Sequence, residues 1–223
     1  MPSLTIENYV KTIYQICARQ GGEPATTGEI ATVLQVSPGT VTSMLKTLSE
    51  SELATYAPYE GVRLTDAGKA LALRVIRRHR LIEVFLVQTL GLSWHEVHEE
   101  AEHLEHAVSD RLIDRIDAYL DHPKTDPHGD PIPGADGSIE HHHTHSLAEL
   151  GEGAPFHLVR VLDQSPDFLR YLSETGFTLG ARGQVTSNRP EAGVITVQLG
   201  EVQETIGQEA AAKLLVSVGK MPS

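Results

Sequence analysis

The sequence predicts a mainly α-helical protein that also contains β structure in two places. Apolar residues recur at the spacing i, i+3, i+4, i+7 through much of residues 4–120, which is typical of amphipathic helices packed on a core. Two strand-like runs, 53–56 and 62–65, flank a turn that contains Pro and Gly, and β-rich runs return beyond residue 151. We therefore expect N-terminal helices with a hairpin, a helical middle segment and a small C-terminal β-barrel.

Three helices are expected before the hairpin. The first runs from Leu4 to Cys17, and Gly21-Gly22 ends it. The second follows a cap at Thr26-Thr27. Ser37 caps the third, which runs from Pro38 to about Glu50 with Pro in its favoured first turn. Two short helices joined by a tight connection and followed by a hairpin predict a winged helix-turn-helix, a DNA-binding frame.

The middle segment is expected to be helical and the C-terminal segment β-rich. A long helix is expected from about Asp66 to Leu90, a second from Trp94 to about His106 with a capping box at Ser93, and a third after Ser109. Residues 122–134 are rich in Pro and Gly and predict a loop. The expected domains are 1–72 (winged helix-turn-helix), 73–140 (helical), 141–152 (linker) and 153–223 (small β-barrel).

Charge is distributed unevenly along the chain. The whole sequence has 18 basic and 30 acidic side chains, and the formal net charge of −12 by itself argues against a nucleic-acid partner. Residues 1–80, however, contain 9 basic and 7 acidic side chains, whereas residues 81–150 contain 3 and 15 together with ten of the twelve His. The first 80 residues are thus slightly basic, and acid and imidazole are concentrated together in residues 81–150, as in a metal-binding region.

A cluster of candidate metal ligands follows from helical geometry. At 100° per residue, the helix around Val97 and Ala101 has a half-buried polar flank beside its apolar stripe. The flank consists of His98, Glu102, Glu105 and His106. On the preceding helix His79 and Glu83 are four residues apart and share a face. A divalent cation would offset the cost of such half-buried charges, whereas the alternative is pairing with Arg77, Arg80 or Arg111.

These segments resemble metalloregulators of the diphtheria toxin repressor and manganese transport regulator family (DtxR/MntR). The resemblance is close over residues 4–134 and weaker over 159–172. It rests on the motifs at 9–14, 37–48, 64–68, 78–83, 91–92, 97–106 and 129–134. It implies a helical dimerisation and metal-binding domain, an SH3-like (FeoA-like) C-terminal domain, a homodimer bound to double-stranded operator DNA, and metal-dependent repression of metal-uptake genes.

The resemblance also implies two metal sites per subunit. One site would use Glu102, Glu105 and His106 with Asn8 from the first helix. The other would use His79, Glu83 and His98 with Gln164 and Asp167 from the C-terminal domain. Glu102 supplies a hard oxygen where iron-type members carry Cys, so Mn²⁺ is favoured over Fe²⁺. Lys11 stands where manganese regulators carry Glu, which favours two separate sites over a close metal pair.

The third helix presents residues suited to a close approach to DNA. They are small or polar: Ser37, Pro38, Gly39, Thr40, Thr42, Ser43 and Lys46. Tyr59 and Arg63 of the hairpin are expected to reach flanking phosphates. We hypothesise that metal ties the first helix to the dimerisation helices and so sets the spacing of two recognition helices.

Two other functions fit some of these residues. A carboxylate-bridged hydrolase or oxygen-activating bundle also uses Glu-x-x-Glu-His, although we expect no enzyme because the predicted fold offers no evident substrate pocket. A winged-helix regulator of an organic ligand would contain ion pairs in place of metal. His141–His145 is expected to be a solvated linker and Cys17 a core residue. No apolar run reaches 18 residues and no leader is evident, so a cytoplasmic protein is expected.

Overall fold

The computed structural model describes residues 3–57, 59–140 and 143–218. These residues form two compact units. The first contains the described residues of 3–79, 104–110 and 133–139, and the second those of 80–103, 111–132 and 140–218. Among the described residues, no helix combines the length and the apolar character needed to cross a membrane.

The N-terminal elements form the predicted winged helix-turn-helix. In order they are α1 (Leu4–Arg19), α2 (Thr27–Leu34), α3 (Pro38–Glu50), β1 (Ala54–Ala57) and β2 (Gly61–Leu64). Local chemistry sets the helix starts: Ser37 Oγ accepts the backbone N–H of Thr40, and Thr26 and Glu29 form a reciprocal capping box. β1 and β2 pair antiparallel, with Ala54 opposite Leu64.

One apolar core holds these helices and the hairpin together. Val10 and Ile13 of α1, Leu45 and Leu48 of α3, and Val62 of β2 are fully buried in it. Cys17 is half-buried and packs against this core, as predicted. The core fixes α3 by its apolar stripe and leaves the opposite side of that helix exposed.

Three further helices follow the hairpin: α4 (Asp66–Leu90), α5 (Val97–Leu104) and α6 (Asp110–Tyr119). The prediction of a helix over 94–106 was wrong at both ends. Ser93 caps only a turn at Glu96, so α5 begins at Val97, and after Leu104 the backbone forms a tighter turn and the α-helix ends. The backbone N–H groups of residues 107 and 108 both donate to the Leu104 carbonyl, as at many helix C-termini. Glu105 and His106 therefore lie in a turn just beyond α5.

The C-terminal segment forms a six-stranded antiparallel sheet with strand order β3-β8-β4-β5-β6-β7. The strands are β3 (His145–Ser146), β4 (Pro155–Val161), β5 (Arg182–Arg189), β6 (Val194–Leu199), β7 (Val202–Gly207) and β8 (Leu214–Ser217). Helices α7 (Pro166–Glu174) and α8 (Gln208–Ala212) complete the segment. β7 was not predicted, because it is an edge strand that buries only Ile206 and so lacks a clear alternating pattern.

Candidate metal centre and DNA interface

The second unit contains a buried cluster of ligand-type side chains at Glu83, Asp126 and His128. Glu83 lies on α4, and the other two lie in the Pro- and Gly-rich loop. One ligand atom from each residue lies within 4.8 Å of the others, and the residues are 1%, 4% and 0% exposed. His128 Nδ1 is 3.9 Å from both Glu83 Oε2 and Asp126 Oδ1, and it has no hydrogen-bond partner among the described residues.

The second nitrogen of His128 determines what Nδ1 can do. His128 Nε2 lies 2.8 Å from the Trp94 carbonyl oxygen, which can only accept a hydrogen bond, so Nε2 carries the proton of the neutral ring. Burial lowers the pKa of His128, which favours this neutral form. The Nδ1 lone pair then faces the carboxyl groups of Glu83 and Asp126 and has no hydrogen bond among the described residues. A cation coordinated by all three groups would occupy that lone pair, and nitrogen and oxygen donors suit a divalent metal ion.

The charges around Asp126 also favour a bound cation. Burial, together with the neighbouring Asp130 and Glu83, raises the pKa of Asp126 well above its usual value. Arg80 offsets part of this negative charge, with Nε 3.6 Å from Asp126 Oδ2 and Nη2 3.3 Å from Asp130 Oδ2. Arg160 Nε also contacts Asp130 Oδ1, so two arginines share the compensation of these acids, and a divalent ion would add positive charge between Glu83, Asp126 and His128.

The loop that carries His128 is fixed by its own backbone and by β4. Asp126 Oδ1 accepts the backbone N–H groups of His128 at 2.8 Å and Asp130 at 2.9 Å. Gly129 has φ +87°, and a Cβ there would lie 2.0 Å from the Val159 carbonyl oxygen. The Val161 N–H donates to the His128 carbonyl at 2.9 Å. Only glycine allows this close approach, which orients the imidazole.

Three other predicted ligands, His98, Glu102 and Gln164, lie at the edge of this cluster. His98 Nδ1 is 3.3 Å from Glu83 Oε1, and its Nε2 is 3.7 Å from Glu102 Oε1, with both His98 and Glu102 about half exposed. Gln164 Nε2 donates to Asp130 Oδ2 at 2.9 Å. Asp167 is exposed on α7 and pairs with Arg170 at 3.0 Å.

The first unit contains an ionic network that includes Glu105 and His106. Lys11 Nζ donates to both Glu105 oxygens at 2.9 Å, and His79 Nδ1 lies 2.6 Å from Glu105 Oε2. Burial raises the pKa of Glu105, but the hydrogen bond with His79 and the charge of Lys11 outweigh it, so the net shift is downward. Glu105 is therefore ionised in this network.

α1 also contacts His106, through a residue that sequence reasoning did not select. Glu7 Oε2 lies 2.7 Å from His106 Nδ1, and Glu7 Oε1 lies 3.5 Å from Arg78 Nη1. Asn8, the predicted ligand of α1, is half-buried next to Glu7. Apart from its place one turn before Lys11, nothing in the sequence indicated that Glu7 is buried, because its partner His106 is 99 residues away.

The predicted DNA-contacting residues lie on an accessible surface. Thr42 is half-buried and its hydroxyl donates to the Pro38 carbonyl, whereas the other predicted residues of α3 are exposed. A Cβ at Gly39 would meet only Ser37 Oγ, at 3.8 Å, so protein packing does not require glycine and the space is open to a groove wall. In the hairpin Tyr59 is fully exposed, and the Arg63 guanidinium contacts the Gly22 carbonyl and Glu23.

Asp126 and His128 are the main residues of the metal centre that the sequence reasoning missed. Their segment was interpreted only as a loop because it lacks helical or strand periodicity. The available signal was an acid and an imidazole placed two residues apart beside Gly129, within an otherwise Pro-rich stretch.

A winged helix-turn-helix joined to clusters of carboxylates and imidazoles defines a class of metal-responsive DNA-binding proteins, and three family descriptions match the chain accordingly. Residues 1–62 match "Iron dependent repressor, N-terminal DNA binding domain", residues 65–134 match "Iron dependent repressor, metal binding and dimerisation domain", and residues 145–218 match the FeoA domain. The chain belongs to the iron-dependent repressor (DtxR/MntR) family, which confirms the resemblance.

Individual relatives agree over nearly the whole chain. The iron-dependent repressor IdeR of Mycobacterium leprae is 32% identical and covers 93% of this chain and 94% of its own length. A solved structure described as a manganese-dependent transcriptional repressor in complex with manganese is 39% identical, with a TM-score of 0.84, and covers 96% of this chain and 99% of that one. The structure of ScaR with bound Zn²⁺ is 36% identical, with a TM-score of 0.78, and the match covers 97% of this chain and 99% of that one.

Proposed function

We propose that this protein is a transcriptional repressor that binds operator DNA when activated by a divalent metal, with Mn²⁺ favoured and Fe²⁺ the second candidate, and that it controls metal-uptake genes. The observation that carries the proposal is His128 Nδ1, a buried acceptor that faces the acidic oxygens of Glu83 and Asp126. A bound divalent ion would satisfy all three groups. Family membership supplies the link from metal binding to transcription.

Two ligand sets are proposed for each subunit. The first is Glu102, Glu105 and His106 with Asn8. The second is His79, Glu83 and His98 with Gln164 and Asp167, to which we add Asp126 and His128. His79 lies one helical turn before Glu83 in α4. The donors are carboxylate, amide and imidazole groups without a thiolate, and this supports Mn²⁺ or Fe²⁺ over softer metals.

The DNA-binding surface is proposed to be α3 with the hairpin. Ser37, Pro38, Gly39, Thr40, Thr42, Ser43 and Lys46 would enter a groove, and Tyr59 and Arg63 would contact phosphate. The exposure of most of these residues supports the proposal. The proposed boundaries are 1–72 for the DNA-binding domain, 73–140 for the dimerisation and metal domain, 141–152 for a linker, whose residues 145–146 form β3 and pair with β8, and 153–223 for the SH3-like domain. His141 and His142 of this linker lie outside the described residues.

The proposed assembly is a homodimer on double-stranded DNA, and the protein is proposed to act without catalysing a reaction. The description "metal binding and dimerisation domain" and the repressor relatives support both statements. A repressor works where chromosomal DNA lies, so a cytoplasmic location in a prokaryotic cell follows from the proposed function.

Metal titration of single-residue variants tests the ligand assignment. Trp94 is the only tryptophan, and its ring stacks on His128 with ring centroids 6.1 Å apart, so its fluorescence reports directly on this site. We expect Mn²⁺ to quench the wild-type emission with saturation, and His128→Gln and Glu83→Gln to weaken Mn²⁺ binding at least tenfold. Glu174→Gln, which removes an exposed acid at the end of α7, serves as the control. Equal Mn²⁺ affinity in the wild type and both ligand variants would refute the assignment.

A further inference from the structure

Lys11 occupies the position on Glu105 that a metal ion would need. Its Nζ lies 2.9 Å from each Glu105 oxygen and 3.3 Å from His79 Nδ1. Lys11 is 6% exposed and Glu105 is 1% exposed, so water does little to screen the pair. The ammonium group therefore neutralises Glu105 from within the protein.

A divalent ion and this ammonium group compete for the same oxygens. A metal bound to a carboxylate sits about 2.0–2.2 Å from the oxygen. An ammonium nitrogen that contacts both oxygens fills the space in front of the carboxylate, and two cations so close together repel each other strongly in a buried site. Metal coordination by Glu105 therefore requires the Lys11 ammonium group to move away from its oxygens.

We propose that Lys11 is an internal counter-cation that sets the metal concentration at which this protein is activated. The inference rests on the proposed function, because it assumes that Glu105 is a metal ligand. In the metal-free protein Lys11 stabilises the ionised Glu105. When metal binds, the Lys11–Glu105 pair is exchanged for metal coordination. The stabilisation lost with the broken pair makes the free energy of metal binding less favourable and so weakens the metal affinity.

The neighbouring contacts explain how α1 stays in place during this exchange. Glu7, one turn before Lys11, contacts His106 at 2.7 Å and Arg78 at 3.5 Å. Arg78 in turn donates to Asp110 Oδ1 at 2.7 Å. The α1 helix is thus linked to the turn after α5 by the Lys11–Glu105 ion pair and by the Glu7–His106 contact without any metal, and only the first of these involves Lys11. Displacement of Lys11 leaves the Glu7 link available.

Lys11→Met tests the proposal, because methionine preserves most of the side-chain length and removes the charge. We expect Mn²⁺ to bind Lys11→Met about tenfold more tightly than the wild type in a chelator-competition titration, equivalent to about 1.4 kcal/mol. We also expect the metal-free variant to unfold at a lower temperature, since Glu105 loses its counter-cation, and excess Mn²⁺ to restore much of the loss. If Lys11→Met is unfolded without metal, Lys11→Gln, which keeps a hydrogen-bond donor, replaces it in the same titration with the same expectation.

Two further variants make the result specific. Lys69→Met removes the same charge from an exposed lysine of α4 that contacts Asp66, and it should leave Mn²⁺ affinity unchanged. Unchanged or weaker Mn²⁺ binding by folded Lys11→Met, while Glu105→Gln weakens binding, would overturn the Lys11 proposal and leave the proposed function standing. If Glu105→Gln binds Mn²⁺ as the wild type does, Glu105 is not a ligand, and both the ligand assignment and the Lys11 proposal fail.

Discussion

Gly129→Ala should damage the metal centre without touching any ligand. Gly129 has φ +87°, and an added Cβ would lie 2.0 Å from the Val159 carbonyl oxygen and 2.7 Å from the Arg160 Cα. Ordinary contact begins at 3.4 Å, so the loop and β4 must separate by about 1.4 Å. That movement disrupts the hydrogen bond from the Val161 N–H to the His128 carbonyl and shifts the imidazole.

The expected loss in the free energy of unfolding has two contributions. A left-handed backbone costs a non-glycine residue about 1–2 kcal/mol, and a lost hydrogen bond costs about 1 kcal/mol more. Together they predict a loss of about 2–3 kcal/mol, or roughly 4–12 °C in the unfolding temperature of the unit concerned. Because His128 moves by an ångström or more, Mn²⁺ affinity measured by Trp94 fluorescence should fall at least tenfold.

Gly193→Ala is the matched control, because Gly193 has φ +70° and nothing lies within 4 Å of an added Cβ. It should show the backbone cost alone, about 1–2 kcal/mol, with unchanged Mn²⁺ affinity. If Gly129→Ala and Gly193→Ala behave alike in both thermal unfolding and Mn²⁺ titration, the close approach of the loop to β4 does not position His128.

Three other outcomes are expected. Arg63→Ala should weaken binding to all duplex sequences alike and reduce the slope of log affinity against log salt by about 1; a loss confined to one sequence in a salt series would contradict the phosphate role. Arg78 donates to Asp110 and lowers the pKa of that carboxyl below its usual 3.8, so the pair stabilises the fold at neutral pH and this contribution is lost as pH falls through the lowered pKa. Asp110→Asn should therefore be less stable than the wild type at pH 7 in urea unfolding. A stability difference that stays constant down to pH 3 would contradict the assignment. Trp94 Nε1 donates to Ser173 Oγ at 2.8 Å, so Ser173→Ala should shift the Trp94 emission while leaving Mn²⁺ affinity within about twofold; identical emission spectra would show that this bond is absent in solution.

The fold was largely predictable because its elements are specified locally. Ser37 and Pro38 determine where α3 begins, and the α4 prediction from Asp66 to Leu90 matched the structure. The β-rich runs beyond residue 151 predicted a small C-terminal β domain and the resemblance specified an SH3-like (FeoA-like) one, which the six-stranded sheet and the FeoA match confirm. The end of α5 and the edge strand β7 were missed because neither has a strong local signal.

The candidate site was less predictable because its contacts join distant parts of the chain. Lys11 and Glu105 are 94 residues apart, and helical periodicity on either segment does not reveal their pairing. His128 lies in a loop without periodicity, so its position opposite Glu83 depends on backbone contacts with β4. Spacing within one helix predicted which ligand-type side chains share a face, but it did not identify which groups already neutralise one another.

The affinity for operator DNA with and without metal is the deciding measurement. Duplexes selected from a random pool by the protein in the presence of Mn²⁺ provide the operator, and fluorescence anisotropy at fixed salt gives the Kd with Mn²⁺ or with chelator. Allosteric coupling of 1–3 kcal/mol predicts binding roughly 5–150-fold tighter with Mn²⁺, and His128→Gln should lose much of that gain. Equal Kd values with Mn²⁺ and with chelator would contradict metal-activated repression.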